Sequence, residues 1–400
     1  MSGLNSSETD LFVTLFTNYQ PEIRPKRSAD YVTNVTVYLS VFSLLSMDEQ
    51  MQAIRFTTDV SLKWIDPLLI WNSSRNTALK IPEETLWTPD IMFYAATSND
   101  DLIPYGKRMV LLRSDGEVVK SGPQIVSHPC QIDVTQFPYD VQTCRLSLGS
   151  WSFTSSNLRI NTPNDSYEVS DDFTANSEWE LLSLTAMMTI DTSYEIGDYD
   201  VLVLSVRLRR NSEYYSLCVV VPTFVCTFLC LNGLFLPSEI SGLNIEKVSL
   251  GVCTLLAMAL ILESVTASIP KSKVLPLLGV FVLAETFLCA IAVLVTSFYL
   301  FAHERAITRG WIPPTWLSVA LLNRRYDRKI THRNISQQHG KRYGLTHIYP
   351  YLVKIVNYLS ETASDARLEQ MWGRIFDRIN VFTLIFFQLA NLVMSLVILL

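Results

Sequence analysis

Four long apolar stretches limit what this 400-residue chain can fold into more than any other feature of its sequence. About twenty consecutive apolar residues in a helix are needed to cross the hydrocarbon core of a bilayer. Stretches of that length occupy about 215–236, 246–269, 274–301 and 379–400. We therefore expect a membrane protein with four transmembrane spans.

The charges that flank the spans set the orientation. Residues 1–214 hold 16 Lys/Arg and 28 Asp/Glu, a net charge of −12, and residues 302–378 hold 13 and 6, a net charge of +7. Basic segments stay on the cytoplasmic side, so residues 1–214 are expected outside the cell. The start MSGLNSSETD has no apolar signal sequence, which we interpret as a trimmed start. Acceptor sequons for glycosylation lie at Asn5, Asn34, Asn72 and Asn164.

Residues 1–214 have the pattern of a β-domain. Apolar and polar residues alternate with period two over 35–44 and 200–208, as in half-buried antiparallel strands. Turn sequences such as Ser-Asp-Gly at 114–116 separate the other apolar runs. About two hundred residues of short strands predict a β-sandwich, and ETDLFVTLFTNY near the start predicts one surface helix before it.

Cys130 and Cys144 enclose the sequence CQIDVTQFPYDVQTC. Zinc sites and dithiol redox sites use CxxC or CxxH spacings, and neither occurs here. Two interpretations remain: two unpaired core cysteines, or a disulfide that restricts the unfolded chain by roughly 3 kcal/mol. A disulfide agrees with an extracellular domain. Phe137–Pro138 inside the loop is a candidate cis peptide bond.

Several motifs in one collinear order resemble the pentameric ligand-gated ion channels, or Cys-loop receptors, and most closely their nicotinic acetylcholine receptor-like branch. Each motif alone is a weak signal, but the series covers nearly the whole chain. The motifs are LFVTLFTNYQPEIRP, WIDPLLIW (64–71), LWTPDIMFY (86–94), the cysteine loop with FPYD, GSWS (149–152), RLRRNSEYY (207–215) and EKVSLG (246–251).

The resemblance implies an extracellular Ig-like all-β sandwich with an N-terminal helix at 1–214, a four-helix transmembrane bundle, and an intracellular segment with amphipathic helices at 302–378. Identical or homologous subunits would form a homo- or heteropentamer around a pore in the plasma membrane, with the postsynaptic membrane as one location that the resemblance suggests. The implied partners are a small-molecule agonist, permeating Na⁺, K⁺ and Ca²⁺, and membrane lipid, but no nucleic acid. No enzyme, cofactor, catalytic site or metal site is expected, because HExxH, a Gly-rich phosphate loop and a nucleophile elbow are absent from the sequence.

The resemblance also implies a ligand site between subunits. Tyr94, Trp151, Tyr194 and Tyr199 match the aromatic box of the principal face, where ring faces attract a cation. By residue type alone Trp151 is a core residue, but its GSWS setting favours the box. Asp59 and Val119 match the complementary face.

The spacing of residues in the second span predicts a pore-lining helix face. A stripe that mixes polar groups with leucines suits a pore shared by five copies, with an acid ring at the cytoplasmic mouth and leucine rings that gate by dewetting. An amphipathic helix inside a bundle is the alternative for the whole stripe, and a hydrogen bond to a neighbouring helix is the alternative for the acid near its outer end. The stripe consists of Glu246, Ser249, Cys253, Leu256, Leu260, Glu263, Ser264 and Ala267.

A last group of residues matches the family's junction between sheet and pore. By resemblance, the FPYD loop lies against the linker SIPKSKVLP (268–276) that follows the second span. Glu49 and Arg210 match the coupling salt bridge, and Phe137, Pro138 and Pro270 belong to the same junction. The alternative is that Glu49 and Arg210 are solvated surface charges.

We therefore expect a ligand-gated, cation-selective channel subunit opened by a cationic amine or similar small molecule. TSYEIGDYD (192–200) lacks the adjacent cysteine pair of nicotinic principal subunits, and Asp59 replaces the complementary tryptophan. An accessory subunit without its own agonist site therefore remains an alternative. So does an anion-conducting member of the same family, because Lys271 and Lys273 follow the second span. A non-channel adhesive membrane protein is a third alternative, which the polar stripe opposes.

Overall fold

The computed structural model describes residues 6–72, 78–163, 165–167, 172–236, 243–267, 274–322 and 349–399. The chain divides into two compact units. The first comprises Met1–Tyr214 with Ala267–Pro276, and the second comprises Tyr215–Thr266 with Leu277–Leu400. The first unit consists mainly of strands and the second of helices.

The first unit begins with helix α1 (Ser6–Phe16), in which Phe12 and Phe16 stack with their ring centroids 4.8 Å apart. Strands of alternating burial follow, because successive side chains of a strand point to opposite faces. The strands are β1 (Thr33–Asp48), β2 (Ala53–Ile65), β3 (Ala78–Pro82), β4 (Ile91–Phe93), β5 (Ser98–Asp101), β6 (Met109–Arg113), β7 (Glu117–Lys120), β8 (Pro123–Pro129), β9 (Val141–Ser150), β10 (Leu158–Asn161), β11 (Ser166–Tyr167), β12 (Phe173–Thr174), β13 (Trp179–Asp191) and β14 (Tyr199–Arg210).

The strands form two sheets. Sheet A follows the order β10-β1-β2-β7-β6-β3, and in addition β8 pairs with β2, β5 with β8 and β12 with β1. Sheet B follows the order β11-β13-β14-β9-β4. In sheet B, Asp191 pairs with Tyr199 across the β13–β14 hairpin, and Val201 pairs with Gly149 of β9. This register gathers the ends of β9, β13 and β14 at one end of the sheet.

The inner faces of the two sheets carry the large apolar side chains. Phe56 of β2 and Phe93 of β4 are buried and meet edge to face, with their ring centroids 5.6 Å apart. Burial of a side chain of this size stabilises the fold by about 1.5–3 kcal/mol. Cys130 follows β8 of sheet A and Cys144 lies in β9 of sheet B, and they form the predicted disulfide. The Phe137–Pro138 peptide bond between them is cis.

The second unit is helical. Four of its described helical segments are long and apolar enough to cross a membrane: Glu213–Phe235, Glu246–Ala267, Leu277–Thr308 and Ala366–Ile398. The helices are α2 (Glu213–Tyr215), continued by the π-helical turn Ser216–Val220, then α3 (Val221–Phe235), α4 (Leu243–Ala267), α5 (Leu277–Thr308), α6 (Thr315–Leu322) and α7 (Tyr349–Leu399). Together with the β-sandwich and its N-terminal helix, these four apolar segments confirm the predicted fold class.

The interior of the bundle is apolar where α3, α5 and α7 meet. Phe235 stacks on Phe387 with their ring centroids 5.6 Å apart, beside the buried Cys230 and Cys289. Cysteines in this setting are small buried hydrophobic residues, as the sequence indicates. Helix α7 is one continuous helix of 51 residues that contains the fourth apolar segment and extends beyond it toward the N-terminal end.

Candidate functional site

The four aromatic residues predicted for the principal face lie together at one end of sheet B. Tyr94 follows β4 and Trp151 follows β9, and their ring centroids are 6.4 Å apart at 71°. Tyr194, in the β13–β14 turn, and Tyr199, at the start of β14, have ring centroids 5.3 Å apart. The two pairs of rings are close to each other, because, after burial itself, Tyr194 and Tyr199 both contribute to raising the pKa of the Tyr94 phenol. The rings therefore form one aromatic cluster.

A glycine makes this close approach possible. A Cβ atom at Gly149 would lie 2.3 Å from the Tyr94 hydroxyl, so any larger residue would push the ring away. The Tyr94 hydroxyl instead donates a hydrogen bond to the Ser150 carbonyl at 2.6 Å. The glycine of the GSWS motif is therefore needed to seat the tyrosine.

Asp90 fixes the backbone that carries Trp151, and sequence reasoning missed it. Its Oδ1 accepts a hydrogen bond from the Ser150 hydroxyl at 2.5 Å, and its Oδ2 accepts one from the Ser152 backbone N–H at 2.7 Å. With the hydrogen bond from Tyr94, three hydrogen bonds thus hold Ser150 and Ser152, the residues on the two sides of Trp151. The only sequence signal was the position of the acid directly before β4, in LWTPDIMFY.

The aromatic cluster is neutral at its rings and acidic at its edge. Burial, followed by the neighbouring Tyr194 and Asp90, raises the pKa of the Tyr94 phenol to about 12, so the hydroxyl stays protonated. Hydrogen bonds from the Ser193 hydroxyl and backbone N–H lower the pKa of Asp191, so this carboxylate stays ionised. Trp151 is 67% exposed. Exposed ring faces beside a carboxylate can attract a cation.

The predicted complementary-face residues lie on sheet A, whereas the aromatic cluster is on sheet B. Asp59 of β2 accepts hydrogen bonds from the Ser121 hydroxyl at 2.8 Å and from the Gly122 backbone N–H at 3.0 Å. Val119 of β7 pairs with Lys63. One chain therefore presents the two predicted faces on different sheets, and their association across two subunits stays a prediction.

Arg210, the last residue of β14, lies in a cluster of carboxylates. Its guanidinium bonds to Asp140 at 2.9 Å, to Glu178 at 2.8 Å and to the predicted partner Glu49 at 2.8 Å. Its side chain is fully buried, with the guanidinium carbon 4.1 Å from the centroid of the Trp179 ring. Burial alone would lower the pKa of Arg210, but hydrogen bonds and charge from Asp140 and Glu49 outweigh it and raise the pKa.

These contacts exclude the alternative that Arg210 is a solvated surface charge. The guanidinium also lies 4.8 Å from the centroid of the Phe137 ring, so the FPYD loop contributes both a ring and a carboxylate, Asp140. Sequence reasoning named Phe137 and Pro138 but not Asp140, although the acid ends the same motif. The role of this carboxylate cluster in gating stays a prediction.

Helix α4 turns the whole predicted pore stripe away from the bundle. Its opposite side is a seam of Gly251, Met258 and Val265, which are buried at intervals of seven residues. A Cβ atom at Gly251 would lie 2.4 Å from Cγ2 of Val293, so α4 touches α5 closely there. The exposed residues of α4 include all eight predicted positions: Glu246, Ser249, Cys253, Leu256, Leu260, Glu263, Ser264 and Ala267.

Some predicted residues lie outside the described part of the chain. Pro270 of the coupling group and the sequons at Asn5 and Asn164 are among them, as are Lys271 and Lys273. The sequons at Asn34 and Asn72 have exposed asparagines, as glycosylation requires.

Two sequence families match the chain along most of its length. The neurotransmitter-gated ion-channel ligand binding domain matches residues 8–212, and the neurotransmitter-gated ion-channel transmembrane region matches residues 219–342. The first match covers the sandwich with all four aromatic positions and Arg210. The second covers most of the first span and all of the second and third.

The chain is similar to curated nicotinic receptor subunits. It is 30% identical over 317 residues to the neuronal acetylcholine receptor subunit alpha-9 of Gallus gallus, which covers 78% of this chain and 64% of the relative. It is 31% identical to the alpha-9 subunit of Rattus norvegicus, over 80% of this chain and 68% of the relative. It is 30% identical to the neuronal acetylcholine receptor subunit non-alpha-2 of Carassius auratus, over 80% of this chain and 69% of the relative. The chain thus spans a little under two-thirds of the length of the chicken relative.

The matched families are those of ligand-gated ion-channel receptors and not of enzymes. The β-sandwich, the four apolar helical segments and the two family matches all agree in order along the chain. This chain therefore belongs to the neurotransmitter-gated ion-channel family of multi-pass plasma-membrane proteins, and its N-terminal sandwich is the extracellular domain.

Proposed function

We propose that this chain is a subunit of a ligand-gated, cation-selective channel, built as a pentamer of identical or homologous subunits. An extracellular cationic amine binds between the aromatic cluster of one subunit and the Asp59 face of the next, and α4 lines the pore. One observation carries the proposal. All eight residues of the polar and leucine stripe on α4 are exposed in the single subunit and lie opposite the buried seam of Gly251, Met258 and Val265.

The ligand class follows from the groups at the site. Ring faces of Trp151 and the tyrosines attract a positive charge, worth about 0.5–2 kcal/mol per good contact. Asp59 stands at the position of the complementary-face tryptophan of nicotinic receptors, and its carboxylate is held in place by Ser121 and Gly122. A carboxylate favours an ammonium that can donate N–H hydrogen bonds. Primary and secondary amines therefore suit this site better than quaternary ammonium ions.

The ion class follows from the inner end of α4. Glu246 is exposed in the first turn of the span, and five copies would form a ring of negative charge at the cytoplasmic mouth. Such a ring attracts Na⁺, K⁺ and Ca²⁺ and repels anions. Leu256 and Leu260, both exposed, supply apolar rings further along the same face that close the pore by dewetting.

Gating would pass through the carboxylate cluster around Arg210. This residue ends β14 and directly precedes the first span, while Glu49 and Asp140 belong to two separate loops of the sandwich. A ligand that binds one arrangement of the sheets more tightly shifts the population toward the open pore. The junction with Phe137, Pro138 and Pro270 belongs to the same proposal.

An accessory subunit of a heteropentamer is the second candidate function. The turn between Asp191 and Tyr199 contains no cysteine pair, and Asp59 replaces an aromatic wall. Both departures favour a subunit that supplies only one face of an agonist site.

Voltage-clamp recording from cells that express this chain alone tests the proposal. We expect primary amines to evoke a current that disappears when external sodium is replaced by a large impermeant cation. Glu246→Gln is expected to reduce the preference for cations over chloride, because it removes the charge of the inner ring. A current that follows the chloride gradient would instead establish an anion channel, and surface pentamers without any current would favour the accessory subunit.

Cys253 offers a test of the pore that needs no engineered residue. It lies exposed on the stripe of α4, whereas Cys230 and Cys289 are buried in the bundle. A small charged thiol reagent applied to the open channel is expected to block the current irreversibly, by at least several-fold, since five bulky groups would meet at one level of the pore.

The matched control is Cys253→Ser, which keeps the shape of the side chain closely but removes the reactive thiol. The Cys218→Ser variant serves as a second control, because Cys218 is also exposed but lies on another helix. Block that persists in Cys253→Ser and disappears in Cys218→Ser would contradict the assignment of α4 as the pore helix.

A further inference from the structure

The first turn of α4 carries two opposite charges on adjacent residues. Glu246 is exposed, whereas Lys247 is half-buried. If both charges faced the lumen, five copies would place a positive ring on the negative one and cancel it. The cation selectivity proposed for the pore, on which this inference rests, therefore depends on where the side chain of Lys247 points.

Lys247 lies on the side of α4 that packs against the bundle. It precedes Gly251 by four residues, so it extends the buried seam of Gly251, Met258 and Val265 by one turn. An α-helix with its side chains is about 10–12 Å across, and the Debye length in physiological salt is about 8 Å. A charge on the seam is thus largely screened from ions in the lumen, whereas the charge of Glu246 is not.

The end of α3 holds the lysine on this side. The Lys247 Nζ donates a hydrogen bond to the Leu236 carbonyl at 2.5 Å. Leu236 is the C-cap of α3, and the carbonyl groups at the C-terminus of a helix carry partial negative charge. This bond uses one of the three N–H donors of the ammonium. It gives the lysine a direction but supplies no full countercharge.

The countercharge comes from α7. Among the groups that the structure describes, the carboxylate of Asp377 is the one whose charge attracts the Lys247 ammonium, although Glu246 is adjacent in sequence. Asp377 follows Phe376, whose ring lies edge to face with His303 of α5 at a centroid distance of 5.1 Å. The acid is therefore carried by a part of α7 that is packed against the bundle. Its attraction acts from beyond ion-pair distance and biases a flexible lysine toward the bundle.

Glu246 keeps its own charge free. Within the described segments of the chain, no lysine, arginine or histidine forms an ion pair with Glu246. Two neighbouring charges are thus separated by the helix that carries them. Glu246 faces outward from the subunit, and Lys247 faces a carbonyl and a more distant acid.

We propose that Asp377 is a positioning residue for ion selectivity. Together with the Leu236 carbonyl it holds the Lys247 charge behind α4, so that the ring of Glu246 keeps its full negative charge at the cytoplasmic mouth. Loss of the acid frees the flexible four-carbon stem of the lysine, and Glu246 then draws the ammonium toward the lumen. An acid that never meets the permeating ion thus sets the charge that the ion meets.

The test uses the full chain carrying Leu256→Thr, expressed in cells under voltage clamp. A polar ring in place of an apolar one keeps the pore hydrated, so current flows without an agonist. The measured quantity is the shift of the reversal potential when external NaCl is diluted at constant osmolarity, which gives the ratio of sodium to chloride permeability. This ratio does not depend on how many channels reach the surface. We expect the parent to be cation-selective.

Asp377→Asn in this parent is expected to lower the permeability ratio. One charge about 8 Å from an ion in water changes the local ion concentration about twofold, and five copies act together, so the ratio should fall at least about fivefold. Asp377→Glu keeps the charge and should keep the ratio. Glu369→Gln is the matched control, because Glu369 is also an exposed acid of α7 that acts on His303 but not on Lys247. It should leave the ratio unchanged.

Lys247→Met separates the positioning role from a general role of Asp377. It removes the charge that Asp377 holds, so Asp377→Asn should have no effect on the permeability ratio when it is added to Lys247→Met. Lys247→Met alone should also leave the ratio unchanged, because a charge on the seam is screened from the lumen.

Three results would overturn the proposal while leaving the channel cation-selective. The first is an unchanged permeability ratio in Asp377→Asn. The second is a fall that persists in Lys247→Met/Asp377→Asn, since Asp377 would then act by another route. The third is a higher ratio in Lys247→Met, which would place the lysine charge in the lumen even if Asp377→Asn does not reach the surface. A parent that follows the chloride gradient or carries no current would instead overturn the proposed function, and this proposal with it.

Discussion

Replacement of Arg210 by methionine is expected to destabilise the extracellular domain by about 3–5 kcal/mol, because it leaves carboxylates buried without a counter-charge. Asp140 is 2% exposed and loses its ion pair, and Glu49 and Glu178 lose theirs at the same time. A loss of this size is a large part of the stability of a typical domain. We expect little surface expression in cells, and for the purified chain a lower midpoint of thermal unfolding followed by tryptophan fluorescence.

The neighbouring residue provides a matched control. Arg209 pairs with Glu180 on the surface, where the two side chains are 56% and 51% exposed. Arg209→Met should therefore cost less than about 1 kcal/mol, as exposed ion pairs do. The double variant Arg210→Met/Asp140→Asn should recover part of the lost stability by removing one buried charge. Equal losses of unfolding free energy for Arg209→Met and Arg210→Met would show that the cluster of three acids around Arg210 stabilises the domain no more than an exposed ion pair does.

Replacement of Trp151 by alanine is expected to raise the agonist concentration needed for half-maximal current by one to two orders of magnitude. The ring is 67% exposed and packs mainly against Tyr94, so its removal leaves the core of the sandwich intact. Loss of a cation–π contact costs about 0.5–2 kcal/mol, and the neighbouring rings lose a supporting wall as well. The measurement is a concentration–response curve under voltage clamp, with surface protein quantified in the same cells.

Two further variants serve as controls for the loss of the Trp151 ring. Trp151→Phe retains a ring face and should shift the curve much less. Tyr105→Ala removes an equally exposed aromatic side chain elsewhere on the sandwich and should leave the curve in place. If Trp151→Ala responds like the wild type, the aromatic cluster is not the agonist site. This result would not bear on whether the chain forms a channel.

Features that depend on local periodicity could be predicted from the sequence. Alternation with period two identified β1 and β14, apolar length identified the spans, and steps of three and four identified the exposed stripe of α4. Each of these signals needs only the residues of one element. The resemblance then supplied the aromatic positions, which no local pattern distinguishes from core residues.

Features that depend on register between distant segments could not be predicted. Asp90 meets Ser150 across 60 positions, and Asp140 meets Arg210 across 70. Whether such an acid faces a partner or water depends on which residues the sheets place opposite one another. A shift of one residue in the pairing of β9 or β14 would turn Ser150 or Arg210 to the other face of its strand. The single predicted partner of Arg210 was therefore only one of three.

The seam of Gly251, Met258 and Val265 has a mechanical consequence. Within the subunit α4 buries 17% of its membrane-spanning window, against 33% for the first span, 44% for the third and 22% for the fourth. A helix with few contacts inside its own subunit resists rotation weakly, because turning it breaks few contacts. Of the four spans, α4 is the one with the smallest buried share. The free energy needed to rotate α4 is then set by contacts between subunits. Substitutions at those contacts should alter channel opening without altering the stability of the single chain.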